Sequence, residues 1–429
     1  MLRTKKMSGL SCLPLLLAGG ATAAPAVERG NQRVGAARVD ITPTTDWGPL
    51  NVWGTKLTGV HDHVYARAIV LDNGVGALAL VAIDTSGNDE APAMLQRIRE
   101  ATGIPAGNIL LVSTHDHNTP RVGPRPNEQP SPGRDAWIRK VTDAVTEAVR
   151  QANQGLQPAR FGLGTGSVDI NINRDELTSQ GWKLGNNPAG PSDKTVWVIS
   201  FEEPTGEPIA FFINYAVHSV VMGPENTAIT GDLSGAASRF VEQHYQDRAV
   251  ALWTSGPAGD QNPKFMTWDT TFTNKTTEPG FSLVDTLGQM LGEEVLRASS
   301  SIRATSPTAR LWTADKVVTC PARTPARGQA AQANANPGTV DLRLGLFMLD
   351  HIALAAVQSE IVTNIYYHLK KDSPFTNTIM VTHHLGSMGY IPEDAAYDRP
   401  TFEVSATRFQ RGCAENGIVN GFLEMMNQY

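Results

Sequence analysis

The strongest constraint on how this chain folds is a pattern that recurs four times: a strand-length apolar run ending in polar, reactive side chains. Such runs are typical of buried strands, and loops at strand ends are where rigid scaffolds present functional groups. The first run, Ile109–Val112, leads into residues 113–120, Ser-Thr-His-Asp-His-Asn-Thr-Pro. The other three are Phe212–Val217 before His218, Ala353–Val357 before Gln358-Ser359-Glu360, and Thr378–Thr382 before His383-His384. These groups can form one site only if the fold brings the strand ends together.

The pair His115 and His117 carries the clearest chemical signal of the four segments. Residues i and i+2 of a strand point to the same face, so both imidazoles can reach one site. Imidazole is the commonest protein ligand for metals and a general acid or base near neutral pH. The alternative is a pair of histidines that make ordinary hydrogen bonds in a loop. The motif alone leaves both interpretations open.

The order of the predicted elements indicates the fold class. Strands alternate with helices, but hairpin signals such as Asp72-Asn73-Gly74 are frequent, which favours mixed sheets over purely parallel ones. We therefore predict an α/β (mixed α+β) fold of layered mixed sheets flanked by helices. The predicted strands are 34–43, 65–71, 77–83, 109–112, 196–201, 208–217, 342–349 and 351–357, and the predicted helices are 91–102, 135–154, 233–247 and 360–371.

The domain prediction is a single domain over residues 33–429, preceded by a signal peptide over residues 1–24. Residues 264–280 and 314–340 are polar and predicted to be irregular, and the second segment is the better candidate for a flexible insertion. The length of 429 residues allows a large core. The net charge of −6 gives no electrostatic reason to expect nucleic acid as a partner.

The N-terminus predicts export. Basic residues at positions 3, 5 and 6 precede the short apolar run Leu10–Leu17, and Ala21-Thr22-Ala23 offers small residues for cleavage after Ala23 or Ala24. The run is too short to span a membrane, so no transmembrane segment is expected after its removal, and the protein should be secreted or periplasmic. Two cysteines remain, Cys320 and Cys413, and an oxidising compartment favours their pairing.

Several motifs, in order from about Gly35 to about Gly421, resemble the neutral ceramidase family of zinc amidases. They are Ala36–Pro43, Tyr65–Ala68, Ile83-Asp84, Ser113–His117, Asn171–Arg174, Asp193–Val196, Ala216–His218, Gly231–Gly235, Gly259–Pro263, Ser373–Phe375 and Gly389–Pro392. A single one of these motifs would carry little weight. Their number and their order make the resemblance specific, and it implies the fold of the family's catalytic domain.

The resemblance implies a role for each matching residue. The residues that match the family's zinc ligands are His115, His218, Glu360 and Tyr390. His117 matches a second histidine beside the metal, and Arg174 matches an arginine that holds substrate or transition-state charge. Among the alternatives, Glu360 would be a carboxylate at a helix start, Tyr390 an aromatic packed under a turn, and Arg174 a loop arginine paired with an acid.

This chain also departs from the family pattern. Asn262 stands where the ceramidases carry a serine proposed to act on the scissile carbonyl, and Phe402 stands where they carry a second tyrosine. Asparagine cannot be a nucleophile, but its amide can donate to an oxyanion or hold a water. The C-terminal immunoglobulin-like domain of the longer ceramidases is not expected in this sequence. These departures affect the prediction of ceramide as the substrate more than the prediction of a zinc site.

The resulting hypothesis is a hydrolase with one zinc ion per chain that cleaves an amide or related bond of a small or lipid-like substrate with a metal-activated water. His117 would shuttle the proton, and Arg174 and Asn262 would share transition-state charge. Asp260 and Asp232 would orient a ligand histidine or, alternatively, serve turn chemistry. Competing hypotheses are a true ceramidase, a zinc hydrolase of an ester, lactone or carbohydrate derivative, and a non-catalytic zinc-containing binding protein. His61, His63, His383 and His384 have no predicted role.

Overall fold

The described part of the chain is dominated by strands. The structure is a computed structural model that describes residues 28–44, 51–52, 55–123, 131–268, 280–303, 305–323 and 338–429. Its strands are β1 (Arg29–Asn31), β2 (Arg33–Asp40), β3 (Asn51–Val52), β4 (Thr55–Lys56), β5 (Gly59–Val60), β6 (Tyr65–Asp72), β7 (Ala77–Ile83), β8 (Ile109–Ser113), β9 (Gln157–Pro158), β10 (Arg160–Ser167), β11 (Asn171–Thr178), β12 (Gly181–Asn187), β13 (Thr195–Glu202), β14 (Pro208–Tyr215), β15 (Ala228–Ile229), β16 (Val250–Ser255), β17 (Gln261–Pro263), β18 (Thr308–Pro321), β19 (Thr339–Leu349), β20 (Ile352–Val357), β21 (Glu360–Ile361), β22 (Asn377–Val381) and β23 (Tyr390–Ile391). Its helices are α1 (Ala91–Thr102), α2 (Pro132–Gln154), α3 (Asp232–His244), α4 (Phe281–Ser300), α5 (Thr363–Asp372), α6 (Phe402–Ala406) and α7 (Ala414–Met426).

Three larger sheets form the scaffold. Their strand orders are β8-β7-β6-β2-β9, β10-β13-β14-β16 and β1-β18-β19-β20-β22. Each contains one parallel pair, β7 with β8, β14 with β16, and β20 with β22, among antiparallel neighbours. The predicted mixed α/β class is therefore confirmed. A smaller sheet, β12-β11-β17, lies beside them.

The three sheets share one apolar core. Ile69 and Leu71 of β6 belong to this shared core, whereas Ala68 and Val70, which alternate with them, pack in a second core with α1 and α2. Side chains alternate across a strand, so both faces of these strands are buried. Burial on both faces explains why the strands read as continuous apolar runs in the sequence.

Helix pairs cover the outer faces of the sheets. Helices α1 and α2 share a core with the first sheet, α3 and α4 with the second, and α5 and α7 with the third. Close approach of α3 and α4 requires a glycine, because a Cβ at Gly288 would lie 2.4 Å from the Cβ of Ala236. A larger residue there would force the two helices apart.

Most predicted elements are confirmed, including the helix over 91–102 and the strands over 65–71 and 77–83. Two predictions are wrong in part. Helix α5 begins at Thr363 rather than at Glu360, which instead pairs with Tyr390 between β21 and β23. Residues 314–321 are not irregular but continue β18, and β19 begins at Thr339. Residues 324–337 of the proposed insertion lie outside the described residues, as do 269–279 of the other irregular segment.

The two cysteines predicted to pair do so. A disulfide joins Cys320 at the end of β18 to Cys413 just before α7, across 93 residues of sequence. The predicted signal peptide lies outside the described residues. Over the described ranges, every helix is too short or too polar to cross a membrane.

Candidate metal centre

The ends of the parallel strands meet at one place. Short hydrogen-bonded links join the segments that follow them: the His117 N–H donates to the Ser219 carbonyl (3.2 Å), the His383 N–H to the Ser359 carbonyl (3.3 Å), and the Leu385 N–H to the Leu111 carbonyl (2.9 Å). The segments after β8, β14, β20 and β22 are therefore neighbours. The fold brings together the reactive groups of all four apolar runs.

Five side chains of the candidate site are linked by pairwise contacts of 3.4 Å or less. Glu360 Oε2 lies 3.2 Å from His115 Nε2 and 3.1 Å from His218 Nε2. The Tyr390 hydroxyl lies 3.4 Å from His218 Nε2, and the Nε2 atoms of His117 and His115 are 3.0 Å apart. His218 and Glu360 are only 3% and 6% exposed. The cluster is thus compact, with a buried centre and with His117 and Tyr390 half-buried at its edge.

Backbone carbonyls set the orientation of the two central imidazoles. His115 Nδ1 donates to the Ser86 carbonyl (3.0 Å), and His218 Nδ1 donates to the Gln261 carbonyl (2.9 Å). Because these hydrogen bonds assign the ring proton to Nδ1, the Nε2 lone pairs of both rings point into the cluster. A carbonyl partner of this kind is typical of metal-ligating histidines.

The donor set fits a divalent cation such as zinc. Two Nε2 lone pairs and the Glu360 carboxylate face one another, and a cation satisfies such a group of acceptors. Two sets of residues have ligand atoms close enough to share one ion, His115 with His117 and His218, and His115 with Glu360 and His383. His115 is common to both sets. We therefore regard it as the centre of the candidate site.

Burial and the charges of neighbouring groups shift the pKa values of the ionisable side chains in the site. Burial opposes ionisation of Glu360, yet the imidazoles of His115 and His218 hold the pKa of its carboxyl well below the usual range. Burial, reinforced by His115 and His218, lowers the pKa of His117 well below that of an ordinary histidine. His117 is therefore neutral near pH 7 and can accept a proton.

Arg174 forms a second wall of the site. Its Nε donates to Glu403 Oε1 (2.8 Å) and its Nη1 donates to Asn262 Oδ1 (3.2 Å). Its guanidinium carbon lies 5.3 Å from the Tyr390 ring centre and 5.5 Å from that of Phe402. Since Asn262 receives this hydrogen bond on its oxygen, its amide nitrogen faces away from Arg174 and can donate elsewhere.

Comparison with known proteins decides the family. The family described as neutral/alkaline non-lysosomal ceramidase, N-terminal, matches residues 33–282. The chain belongs to this family. Among its relatives, neutral ceramidase A of Dictyostelium discoideum is 28% identical over 233 residues, 48% of this chain and 32% of that protein. Neutral ceramidase of Pseudomonas aeruginosa is 26% identical over 252 residues, 54% of this chain and 37% of that protein.

The matched segments cover about a third of each of these relatives. Solved ceramidase structures extend the comparison to the fold of the whole chain. Neutral ceramidase from Pseudomonas aeruginosa superposes with a TM-score of 0.72 at 15% identity, covering 92% of this chain and 73% of that one. A structure titled "Ceramidase complexed with C2" gives a TM-score of 0.74 at 15% identity, with 92% and 75% covered. The chain therefore has the ceramidase catalytic fold.

Two carboxylates of this ceramidase-family chain do not have the predicted histidine-orienting role. Asp260 accepts from Asn173 Nδ2 (2.8 Å) and from the backbone N–H (2.9 Å) and hydroxyl (2.8 Å) of Thr363, so it caps α5. Asp232 accepts from the backbone N–H groups of Val221 and Met222, both at 2.9 Å. The rings of His115 and His218 are instead oriented by hydrogen bonds from Nδ1 to backbone carbonyls. The two aspartates hold the backbone that carries the site.

His383 is a site residue that the sequence did not assign. Its ring stacks on His115 with the centres 4.0 Å apart, and it is 3% exposed. The signal that could have identified it is its position after the apolar run of β22, as with His115 after β8. His384 instead packs edge-on against Phe347 (5.5 Å) in the core. Of the other unassigned histidines, His61 stacks on Phe281 and His63 pairs with Asp40.

The backbone at the site is strained. His115, His383 and Asp232 have φ values of 60°, 61° and 47°, in the left-handed region that non-glycine residues rarely adopt. Each such residue costs on the order of 1–3 kcal/mol and persists where the surroundings fix it, often at functional sites. Two of these strained residues, His115 and His383, carry the imidazoles that stack on each other in the candidate centre.

A cavity of about 510 Å³ adjoins this centre. Polar and apolar atoms contribute about equally to its surface, and the residues around it are Trp182, Lys183, Leu184, Pro400, Phe402 and Ser405. Phe402 connects the two regions, because its ring also packs edge-on against Tyr390 with the centres 5.3 Å apart. A substrate that reaches Tyr390 can therefore extend along Phe402 into this cavity.

Proposed function

We propose that this chain is an exported zinc-dependent hydrolase that cleaves an N-acyl (amide) bond of a small or lipid-like substrate. One observation carries the proposal, the convergence of Glu360 Oε2 with the Nε2 atoms of His115 and His218 at 3.2 and 3.1 Å. Membership of the ceramidase family supports the amide bond as the target. The single domain over residues 33–429 is part of the proposal.

His115, His218, Glu360 and Tyr390 would hold one zinc ion in this enzyme. When bound, zinc supplies Lewis-acid polarisation of a carbonyl and lowers the pKa of water toward neutrality. The carbonyl partners of His115 and His218 keep both rings in the ligating orientation. His383, stacked on His115, would limit movement of that ring.

His117 would transfer the proton in amide hydrolysis. The reaction consumes one water, breaks the C–N bond, and yields a carboxylic acid and an amine. His117 is neutral because burial lowers its pKa, so its ring can take the proton of the attacking water and pass it to the leaving nitrogen. Loss of such a group typically costs about 10²–10⁴-fold in rate.

Arg174 and Asn262 would stabilise the negative charge that develops on the carbonyl oxygen. The Arg174 guanidinium is fixed by Glu403 and touches Asn262, and both residues are at least 95% buried. In a water-excluded site one such donor is typically worth about 3 kcal/mol. Asn262 then serves as a hydrogen-bond donor, a role that does not require a nucleophilic side chain at this position.

The cavity beside Phe402 supports a substrate with an apolar portion. Trp182, Leu184 and Phe402 offer apolar surface there, and Lys183 adds a cation. The test of the proposed function is a substrate panel, with products measured by mass spectrometry. It comprises ceramides and other N-acyl amines of graded chain length, matched esters and lactones, and acylated sugars.

His117→Ala is the decisive variant in this panel. It should lower N-acyl cleavage about 10²–10⁴-fold while zinc content stays near that of the wild type. His351→Ala, at the exposed turn between β19 and β20, is the matched control and should behave like the wild type. Cleavage confined to esters or sugars would remove the amidase proposal. Loss of zinc together with activity in His117→Ala would remove the proton-transfer role.

Export is the other part of the proposal. The disulfide between Cys320 and Cys413 supports an oxidising compartment. Expression of the full chain in a bacterial host should release a protein that begins at Ala24 or Pro25, measured by intact mass in the periplasm or medium. A cytoplasmic protein that retains residues 1–23 would contradict export.

A further inference from the structure

Two buried carboxyl oxygens behind Arg174 have no hydrogen-bond donor. They are Glu403 Oε2 and Asp175 Oδ1. Glu403 is fully buried, and its other oxygen, Oε1, accepts a hydrogen bond from Arg174 Nε. A buried acceptor without a donor is costly, so each such atom in a folded protein requires an explanation.

The two carboxyl groups lie in hydrogen-bonding contact with each other. A single proton between them satisfies both oxygens at once, because the protonated carboxyl donates to the ionised one. Two ionised carboxylates in contact would repel each other strongly in a buried setting. Burial, with the charge of Glu403, raises the pKa of Asp175 to about 9.

We infer that Asp175 and Glu403 share one proton, and that this pair positions Arg174 with a single negative charge opposite its guanidinium. With one proton, the three residues sum to zero charge. With none, a second negative charge stands beside the oxyanion-stabilising side chain. Asp175 is thus a positioning residue that acts through Arg174, a role that rests on the proposed function.

Three charged groups act most strongly on Asp175. Besides Glu403 on α6, they are Arg174 on the same strand and Asp260 before β17. Asp260 adds a further negative charge, which favours keeping the proton on the pair. Arg174 opposes this but is already paired with Glu403. The charges around the pair therefore favour one retained proton at neutral pH.

The sign of the resulting pH dependence follows from linkage. An unfolded aspartate has a pKa of about 3.9, so between about pH 4 and 9 the folded chain holds a proton that the unfolded chain has released. This contribution to stability is complete below the unfolded pKa and is lost as the pH rises through the folded pKa. Asp175→Asn removes the shared proton, while its amide can still donate to Glu403 Oε2.

The experiment compares the full chain with Asp175→Asn in urea unfolding from pH 5 to 8. The ratio of the wild-type unfolding constant to that of the variant should rise about tenfold per pH unit. Glu176→Gln, an acid on the same strand whose carboxylate is 38% exposed and pairs with Lys183, is the control and should give a flat ratio. A flat ratio for Asp175→Asn would overturn the shared proton.

A second measurement needs no variant. The infrared carbonyl band of a protonated carboxylic acid should be present in the wild type at pH 7 and lost above about pH 9. Its absence at pH 7 would also overturn the inference. In activity assays, kcat/KM of the wild type should fall on the alkaline side with a midpoint near 9, and Asp175→Asn should lack this decline. A rising stability ratio without any N-acyl hydrolysis would refute the proposed function and leave the shared proton standing.

Discussion

Replacing Glu360 with glutamine probes the candidate centre without changing its shape. In the wild type, three acceptors face one another, Glu360 Oε2 and the Nε2 atoms of His115 and His218. In Glu360→Gln the amide nitrogen can donate to one of those Nε2 atoms, while the anionic ligand is lost. We therefore expect the metal-free variant to be at least as stable as the metal-free wild type, and to bind zinc more weakly.

The magnitude follows from ligand-linked stability. At a zinc concentration about 100 times the wild-type Kd, binding stabilises the folded state by about 2.7 kcal/mol. Loss of an outer partner of a metal ligand already weakens binding about 10–100-fold, and loss of a ligand should reach at least the upper value. At 100-fold weaker binding the gain falls to about 0.4 kcal/mol. For a chain of 429 residues these gains correspond to Tm increases of about 3 °C and below about 1 °C.

The assay is a thermal melt of chelator-stripped protein with and without zinc. Glu424→Gln, which changes a carboxylate on α7 that is 59% exposed and pairs with Lys316, is the matched control and should keep the full zinc-dependent shift. Two results would refute the reasoning. One is an undiminished zinc shift in Glu360→Gln, and the other is a strongly destabilised metal-free variant.

Two further predictions concern stability. Replacing both Cys320 and Cys413 with serine should lower the free energy of unfolding by about 4–5 kcal/mol, from the chain entropy of the 93-residue span; equal urea midpoints for wild type and variant would contradict this. Arg67→Met should cost about 3–5 kcal/mol, because Arg67 donates to the buried carboxylates of Asp84 (2.7 Å) and Glu242 (2.8 Å), and its loss leaves Asp84 without its cation and Glu242 with Arg38 alone. A loss below about 1 kcal/mol in urea unfolding would show that Arg67 is not needed to neutralise these buried carboxylates.

Periodicity in the sequence was sufficient to predict the central strands and several helices. Strands β6 and β7 are apolar along nearly their whole length because both of their faces are buried, so their limits are visible in the sequence. Strand β18 was not predicted from the sequence, because much of it is partly or fully exposed and it lacks a continuous apolar run. An exposed strand has no apolar run to reveal it, and its pairing with β19 is visible only in the fold.

The start of α5 shows why the surroundings of Glu360 could not be predicted. The helix begins at Thr363 because Asp260, about 100 residues earlier in the chain, accepts from the backbone N–H of Thr363. Local sequence carries no trace of a cap supplied from so far away. The same holds for the stacking of His383 on His115, which depends on β22 and β8 ending at one place. The resemblance to the ceramidases identified the four residues proposed as ligands, but not this fifth side chain.

The central claim is that hydrolysis depends on one zinc ion held by the cluster around His115. The most direct measurement is metal content and N-acyl cleavage on the same preparation of purified chain, before and after chelation and after titration with zinc. The account predicts one zinc per chain, no cleavage by the stripped protein, and recovery that reaches its plateau at one equivalent. Full cleavage by metal-free protein, or failure to bind zinc with His115 and His218 intact, would contradict it.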